Sequence, residues 1–369
     1  MTTQIDQSKL KFRFSFVDAL RGIAALWVVL YHVKPEENLP QLIQLAPPWI
    51  VEIVFKQGSL GVPIFFTLSG FVTAHSLRHA EISLPYFKLF CLRRLIRLNP
   101  PYYVSIIIVL GIGLITSWIK QEPYQIMGSL FSMERFLAHL FYLQELFKLT
   151  NFNDVYWTLC LEIQFYLLFI LLLIFLKKLQ PLNDLFPSET ISLCVISLIT
   201  LLYPLNIIHV DTRPVFVLPI LYMFLGGVFA YWSTIGRIKS ILFYVFIVIV
   251  FSSGIAQYSS AYTISAVVAV LLSVALRTNQ MHIWLNWGWL QFLGLISYSL
   301  YLIHTPILGG FFFVSRKAFT QTPIVEVFTL ILAIVACLIF AYGMWKVVEA
   351  PTISLGHKLK YVKNMEARQ

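Results

Sequence analysis

The sequence has few charged residues, and that shortage excludes an ordinary soluble fold. Only 12% of the 369 residues are Asp, Glu, Lys or Arg, whereas soluble domains average about a quarter. The formal charge of +10 is spread between apolar runs, with no long basic block interleaved with aromatics, so no nucleic-acid partner is expected. The four cysteines are far apart and form no CxxC pair, so no zinc or redox site is predicted.

Apolar residues make up 59% of the chain, more than a soluble core of this length can bury. A helix that crosses a bilayer needs about 20 mostly apolar residues. We therefore predict an all-α fold: a polytopic membrane helix bundle of about ten transmembrane helices, forming a single membrane domain over 1–369 with short tails at about 1–14 and 350–369. The predicted spans are 16–34, 60–77, 100–119, 155–176, 191–209, 215–235, 240–256, 261–277, 289–309 and 325–346.

Two further segments are predicted to be helical without spanning. Residues 133–147 are too short and too charged to cross comfortably, which favours an interfacial or re-entrant helix. Residues 86–98 form a basic amphipathic helix that leads into the third span and is closed by Asn99-Pro100-Pro101. An even number of spans places both termini on one side. Most of the 27 Lys and Arg residues then share that side, which predicts cytoplasmic termini, although the Arg316-Lys317 pair is an exception.

Ionisable residues inside apolar spans are costly and are usually functional. In the first span, Arg21 and His32 are 11 residues apart, so both lie on one helix face, about 16 Å apart along the axis. They could hold two ends of one long ligand. The alternative is that each side chain extends to its nearer membrane surface.

Two other spans carry polar stripes. Thr158, Glu162 and Tyr166 follow at i, i+4 and i+8, and a buried carboxylate such as Glu162 needs a partner. In the ninth span, Ser297, Tyr301 and His304 share a face in the same way. The alternative for both stripes is a set of structural hydrogen bonds between helices.

Two more groups are candidates for ligand binding. Arg93, Arg94 and Arg97 form a cluster suited to phosphate, unless they serve only to attract anionic lipid. Ser69-Gly70 could place a hydroxyl near a site, but the chain has no GxSxG motif around Ser69. Close helix packing through small residues is the simpler explanation of that pair.

These elements occur in a familiar order: FVDALRGIAALWVVLYH, FFTLSGF, RRLIRL followed by proline, WTLCLEIQFYLL and SYSLYLIH. Together they resemble the membrane-bound acyltransferase 3 family of bacterial O-acetyltransferases, over about 14–350. The resemblance implies ten helices in a bacterial inner membrane. It also implies transfer of an acyl group, usually acetyl from acetyl-CoA, to a surface polysaccharide, lipopolysaccharide or other glycan. Because the sequence ends soon after its last predicted span, we do not expect in it the extracytoplasmic esterase-like domain that some members carry.

The resemblance and the residues together suggest a mechanism without metal. Arg94 and Arg97, helped by Arg93, would bind the CoA phosphates. Arg21 would bind further along the donor, or would act in catalysis by stabilising negative charge near it. His32 would act as general base, or as an acyl carrier, and Glu162 would orient it. The weaker candidates for acceptor contacts are Ser69, Tyr166, Ser297, Tyr301 and His304.

The remaining partners are less defined. The lipid bilayer, acyl-CoA and a glycan acceptor are expected, while the oligomeric state, the acyl group and the acceptor stay open. The rival interpretation is a transporter or flippase, because intramembrane His, Glu and Arg residues also occur in proton relays.

Overall fold

The computed structural model describes residues 14–179, 188–209 and 215–358. It is almost entirely helical, as predicted. The helices are α1 Ser15–Tyr31, α2 Pro35–Asn38, α3 Pro40–Leu45, α4 Pro48–Val54, α5 Gly61–Ser76, α6 Leu84–Lys120, α7 Met133–Leu140, α8 Tyr156–Leu179, α9 Ser188–Leu201, α10 Leu221–Thr234, α11 Ser240–Ala256, α12 Ser260–Arg277, α13 Gly288–Ala318, α14 Pro323–Met344 and α15 Ala350–Lys358. Two short strands, β1 Gln125–Ile126 and β2 Ser129–Leu130, pair antiparallel between α6 and α7.

Six helical segments of the described chain are long and apolar enough to cross a bilayer: Pro48–Ser76, Leu84–Lys120, Tyr156–Lys178, Ser260–Arg277, Gly288–Ala318 and Pro323–Gly356. The helices α1, α9 and α10 overlap three of the other predicted spans but are shorter than those spans, and α11 has the bounds of the fourth. An all-α membrane protein is therefore confirmed, whereas the count of ten spans and the side of the termini stay predictions.

The prolines in α6 do not end the helix where the sequence predicted. The segment 86–98 and the third span form one 37-residue helix that continues through Pro100 and Pro101. Each proline removes a backbone donor, but such losses are tolerated in membrane helices when neighbouring groups satisfy the freed carbonyls. Close to these prolines, the Tyr298 hydroxyl donates to the Leu98 carbonyl at 2.8 Å.

The last predicted span is also longer than expected. A π-helix, Trp345–Glu349, joins α14 to α15, so part of the predicted C-terminal tail is helical. Pro351 lies two residues after Glu349 and cannot donate a backbone N–H. A widened π turn is a common way to accommodate such a loss, and π turns occur frequently at functional sites.

Glycines bring the central helices close together. A Cβ added at Gly294 of α13 would lie 2.1 Å from the Asp18 carbonyl oxygen of α1. A Cβ added at Gly70 of α5 would lie 1.9 Å from the Phe224 carbonyl oxygen of α10. Small residues at such crossings are typical of helix packing in membranes, which confirms the packing interpretation for Gly70.

The outward faces of the long helices are apolar. On α6, Trp118 is 74% exposed, and Ile107 and Leu114 are exposed as well. On α14, Phe328 and Phe340 are exposed in the same way. Surfaces of this kind are unfavourable in water and favourable against hydrocarbon.

The segment between α6 and α8, residues 121–155, forms a compact cap. Within the predicted helix 133–147 only α7 is helical, so that helix is shorter than predicted. The Arg135 guanidinium is buried and donates to backbone carbonyls of the surrounding loops. His139 donates from Nδ1 to the Arg135 carbonyl at 2.7 Å and accepts from the Phe152 N–H at 3.0 Å. Burial lowers the pKa of His139 to about 4, which keeps its imidazole neutral.

Candidate active site

A cavity of about 440 Å³ lies between α1, α5, α6, α8, α13 and the π-helix. Its polar lining includes eight residues predicted from the sequence: Arg21, Ser69, Arg94, Arg97, Glu162, Tyr166, Ser297 and Tyr301. These residues come from five helices that are far apart in the chain. Of the other predicted residues, His32, His304 and Arg93 lie outside this lining.

The centre of the cavity holds a carboxylate with two hydroxyl partners. Glu162 Oε1 accepts a hydrogen bond from Ser69 and another from the Tyr166 hydroxyl at 2.5 Å. The Ser69 and Tyr166 oxygens are themselves 3.3 Å apart. The predicted stripe on α8 thus faces the cavity, and its partner on α5 is the serine of the FFTLSGF segment.

Three arginines, Arg21, Arg94 and Arg97, line the same cavity as this carboxylate. The Arg94 guanidinium lies 4.5 Å from the centre of the Tyr166 ring and donates to the Thr73 hydroxyl at 3.3 Å. Arg21 interacts electrostatically with Glu162 and with Arg97. Within the described chain, the buried Nε of Arg97 has no hydrogen-bond partner. Such an unsatisfied donor beside a cavity is suited to an anionic ligand.

His32 and His304 form a pair beyond the Tyr301 end of the cavity. His304 Nε2 lies 3.2 Å from His32 Nδ1, and the Tyr301 and His304 ring centroids are 6.1 Å apart. Tyr301 lines the cavity and shares a 2.8 Å hydrogen bond with Thr158. The pair is therefore adjacent to the cavity. His32 directly follows α1, the helix that carries Arg21.

Backbone carbonyls define the tautomers of this pair, because a carbonyl oxygen can only accept. His32 Nδ1 lies 2.9 Å from the Val28 oxygen, and His304 Nδ1 lies 3.1 Å from the Leu300 oxygen. Both Nδ1 atoms therefore carry the proton. The single His32 Nδ1–H is then shared between the Val28 oxygen and His304 Nε2 at 3.2 Å, and His32 Nε2 has no hydrogen-bond partner among the described residues.

This arrangement corrects the predicted pairing of Glu162 with His32. Among the described residues, the hydrogen bonds of Glu162 go to Ser69 and Tyr166, and those of His32 go to Val28 and His304. The residue beside His32 is thus a second histidine. Sequence spacing could not reveal this, because the contact joins α13 to the end of α1.

Two residues at the site were missed in the sequence. Glu349 lines the cavity, is 3% exposed and accepts from the Ser299 hydroxyl at 2.7 Å. Asn153 donates to the Leu302 carbonyl at 3.1 Å and accepts from the Thr305 hydroxyl at 2.7 Å, so it contacts α13 on both sides of His304. A carboxylate just after an apolar run was the available signal for Glu349.

Across the residues that the structure describes, no group of three or more His, Cys, Asp and Glu side chains could hold a metal ion. The cavity lining combines three arginines with three carboxylates, and the histidine pair lies adjacent to it. The family model for an acyltransferase domain matches residues 14–342.

The chain belongs to the acyltransferase 3 family. It is similar to a Staphylococcus aureus protein named "Putative O-acetyltransferase", with 25% identity over 91% of this chain and 56% of that protein. It is also similar to the peptidoglycan O-acetyltransferase of Listeria monocytogenes, with 29% identity over 44% of this chain and 24% of that protein. A viral relative from Acidianus two-tailed virus, named "Putative acetyltransferase", shares 32% identity over 40% of this chain and 37% of that protein.

This acyltransferase 3 chain spans only about half, or less, of the length of these relatives. No solved structure matches it significantly. Membership in the family supports an acyltransferase domain in a helical membrane protein.

Proposed function

We propose that this acyltransferase moves an acetyl group from cytoplasmic acetyl-CoA to a hydroxyl of a surface polysaccharide, lipopolysaccharide or other glycan, in the cytoplasmic membrane of a bacterium. One observation carries the proposal. A polar cavity inside an apolar bundle has one arginine donor in its wall, Arg97 Nε, that is unsatisfied among the described residues, and a histidine whose Nε2 has no hydrogen-bond partner among them lies adjacent to the cavity.

The donor end of the site is assigned to the arginines. Arg94 and Arg97 line the cavity, and their planar guanidinium groups match phosphate oxygens. Arg21, which lies on α1 whereas Arg94 and Arg97 lie on α6, would contact the donor further along its length. Arg93 is on the same helix but outside the lining, so we give it a supporting role through its positive charge.

The reacting end is assigned to the histidine pair. His32 Nε2 takes the proton from the acceptor hydroxyl as its oxygen bonds to the acetyl carbonyl carbon, and the carbon–sulfur bond breaks. The imidazolium then returns the proton to the departing CoA sulfur. His304 stabilises this imidazolium by accepting from Nδ1–H, the part that aspartate plays in hydrolase triads.

The other predicted residues are assigned to positioning. Glu162 holds the Ser69 and Tyr166 hydroxyls and balances the charge of Arg21. Ser297 and Tyr301 line the cavity toward the histidine pair and are the proposed contacts of the acceptor. Transient acylation of the free His32 nitrogen would use the same geometry.

The proposal is tested with the full chain reconstituted in liposomes, with acetyl-labelled acetyl-CoA on the side of the arginines and a glycan acceptor present. We expect label on the glycan as an ester that dilute alkali releases. Arg97→Ala should weaken CoA binding at least tenfold, because a charged phosphate contact is worth about 1.5–3 kcal/mol. Label that crosses the membrane without forming an ester would instead indicate a transporter and overturn the proposal.

A further inference from the structure

We propose that Glu349 is an affinity-setting residue, whose negative charge opposes the phosphates of the donor and so allows CoA to leave after transfer. This inference rests on the proposed function. It adds a residue that neither the motifs nor the family resemblance indicated.

The position of Glu349 is well defined. It ends the π-helix, its side chain is buried, and it lines the cavity. The Ser299 hydroxyl donates to Oε2 at 2.7 Å, which orients the carboxylate. Burying a carboxylate costs free energy, and one hydrogen bond from a serine offsets only a small part of that cost. A role for its charge explains its presence better.

The charges around Glu349 indicate what that role is. Glu349 interacts electrostatically with Arg97 and Arg21, yet Arg97 Nε lacks a hydrogen-bond partner among the described residues. The carboxylate thus lowers the positive potential of the arginines without occupying their donors. Those donors remain available to a phosphate.

The balance of charge in the lining supports this interpretation. Three arginines line the cavity, and three carboxylates, Asp18, Glu162 and Glu349, line it with them. In a poorly screened cavity, three uncompensated guanidinium groups would hold a multiply charged donor very tightly. Tight binding of donor and product alike does not accelerate the chemical step. A fixed carboxylate beside the phosphates keeps the product exchangeable.

The test compares the wild-type chain with Glu349→Gln, using CoA and phosphate-free pantetheine as probes of the purified full-length protein. Removing one negative charge should tighten CoA binding by about tenfold, as expected for one partly screened charge pair. Pantetheine binding should not change. The KM for acetyl-CoA and kcat should both fall, because CoA release becomes slower. Glu349→Asp, which keeps the charge, should bind CoA like the wild type.

Glu326→Gln is the matched control. Glu326 lies on α14, is 1% exposed and accepts from the Gln41 and Leu42 backbone N–H groups at 3.1 and 2.7 Å, outside the cavity lining. It should leave CoA affinity unchanged. Glu349→Met, neutral and of similar length, repeats the test if the glutamine variant folds poorly, as judged by thermal unfolding.

The outcomes separate this inference from the proposed function. If CoA binds the wild type and is lost in Arg97→Ala, but Glu349→Gln binds it with equal or weaker affinity, the role of Glu349 is refuted and the proposed function stands. Equal tightening of CoA and pantetheine would also refute it, since the effect would not depend on phosphate. If the wild type binds no CoA, the proposed function fails and this inference fails with it.

Discussion

The pairing of His304 with His32 leads to a quantitative prediction. Phenylalanine at position 304 fills a similar volume but cannot accept from His32 Nδ1–H across the 3.2 Å contact, which leaves the Val28 oxygen at 2.9 Å as the remaining acceptor. A neutral hydrogen bond is worth about 1 kcal/mol, and one from a charged donor about 1.5–3 kcal/mol. Because His32 becomes charged only during the reaction, the loss in the transition state exceeds the loss in the ground state by about 0.5–2 kcal/mol, or about 1.3 kcal/mol at the midpoint. We therefore expect kcat to fall about tenfold.

The assay is transfer of labelled acetyl groups to the glycan in liposomes, at equal amounts of folded protein. The KM for acetyl-CoA should stay constant, because His304 lies outside the cavity lining. His304→Gln should recover part of the rate, since its amide oxygen can accept the same hydrogen bond. Ser315→Ala, a buried residue of the same helix that bonds Thr329, is the control. If His304→Phe keeps the wild-type kcat, His304 does not stabilise the His32 imidazolium during the reaction.

Two further predictions concern stability. Acidification should destabilise the cap, because the pKa of His139 is about 4 in the folded chain and 6.5 in the unfolded chain. The stabilisation is full above pH 6.5 and is lost toward pH 4, by up to about 3 kcal/mol; thermal unfolding of His139→Gln should lack this pH dependence. Gly70→Ala should cost about 1–3 kcal/mol or more, since the added methyl meets the Phe224 carbonyl, whereas Gly111→Ala meets open space. Equal melting temperatures of the two alanine variants would contradict the predicted clash.

Much of the site was predictable because polar side chains inside apolar spans face the interior of the helix bundle rather than lipid. Glu162 and Tyr166 repeat at helical spacing, so one wall of a polar space follows from the sequence alone. Arg21 and Arg97 cannot face lipid cheaply, which predicts that they meet the same space. The structure places all four in one cavity.

The remaining features depend on contacts between distant segments. The spacing of Arg21 and His32 gives a shared helix face, but not the neighbour of His32, which is supplied by α13. The continuation of α6 through Pro100 depends on the surrounding helices rather than on local preference. The position of Glu349 in the same cavity lining as the arginines depends on the π-helix, which the sequence did not predict.

The most direct test of the account replaces His32 with alanine and measures transfer and CoA binding in the same preparation. Loss of the general base should lower transfer by about a hundredfold or more, while CoA affinity stays at the wild-type value because His32 lies outside the cavity lining. A His32→Ala chain that acetylates its glycan at the wild-type rate would contradict the central claim that this imidazole activates the acceptor.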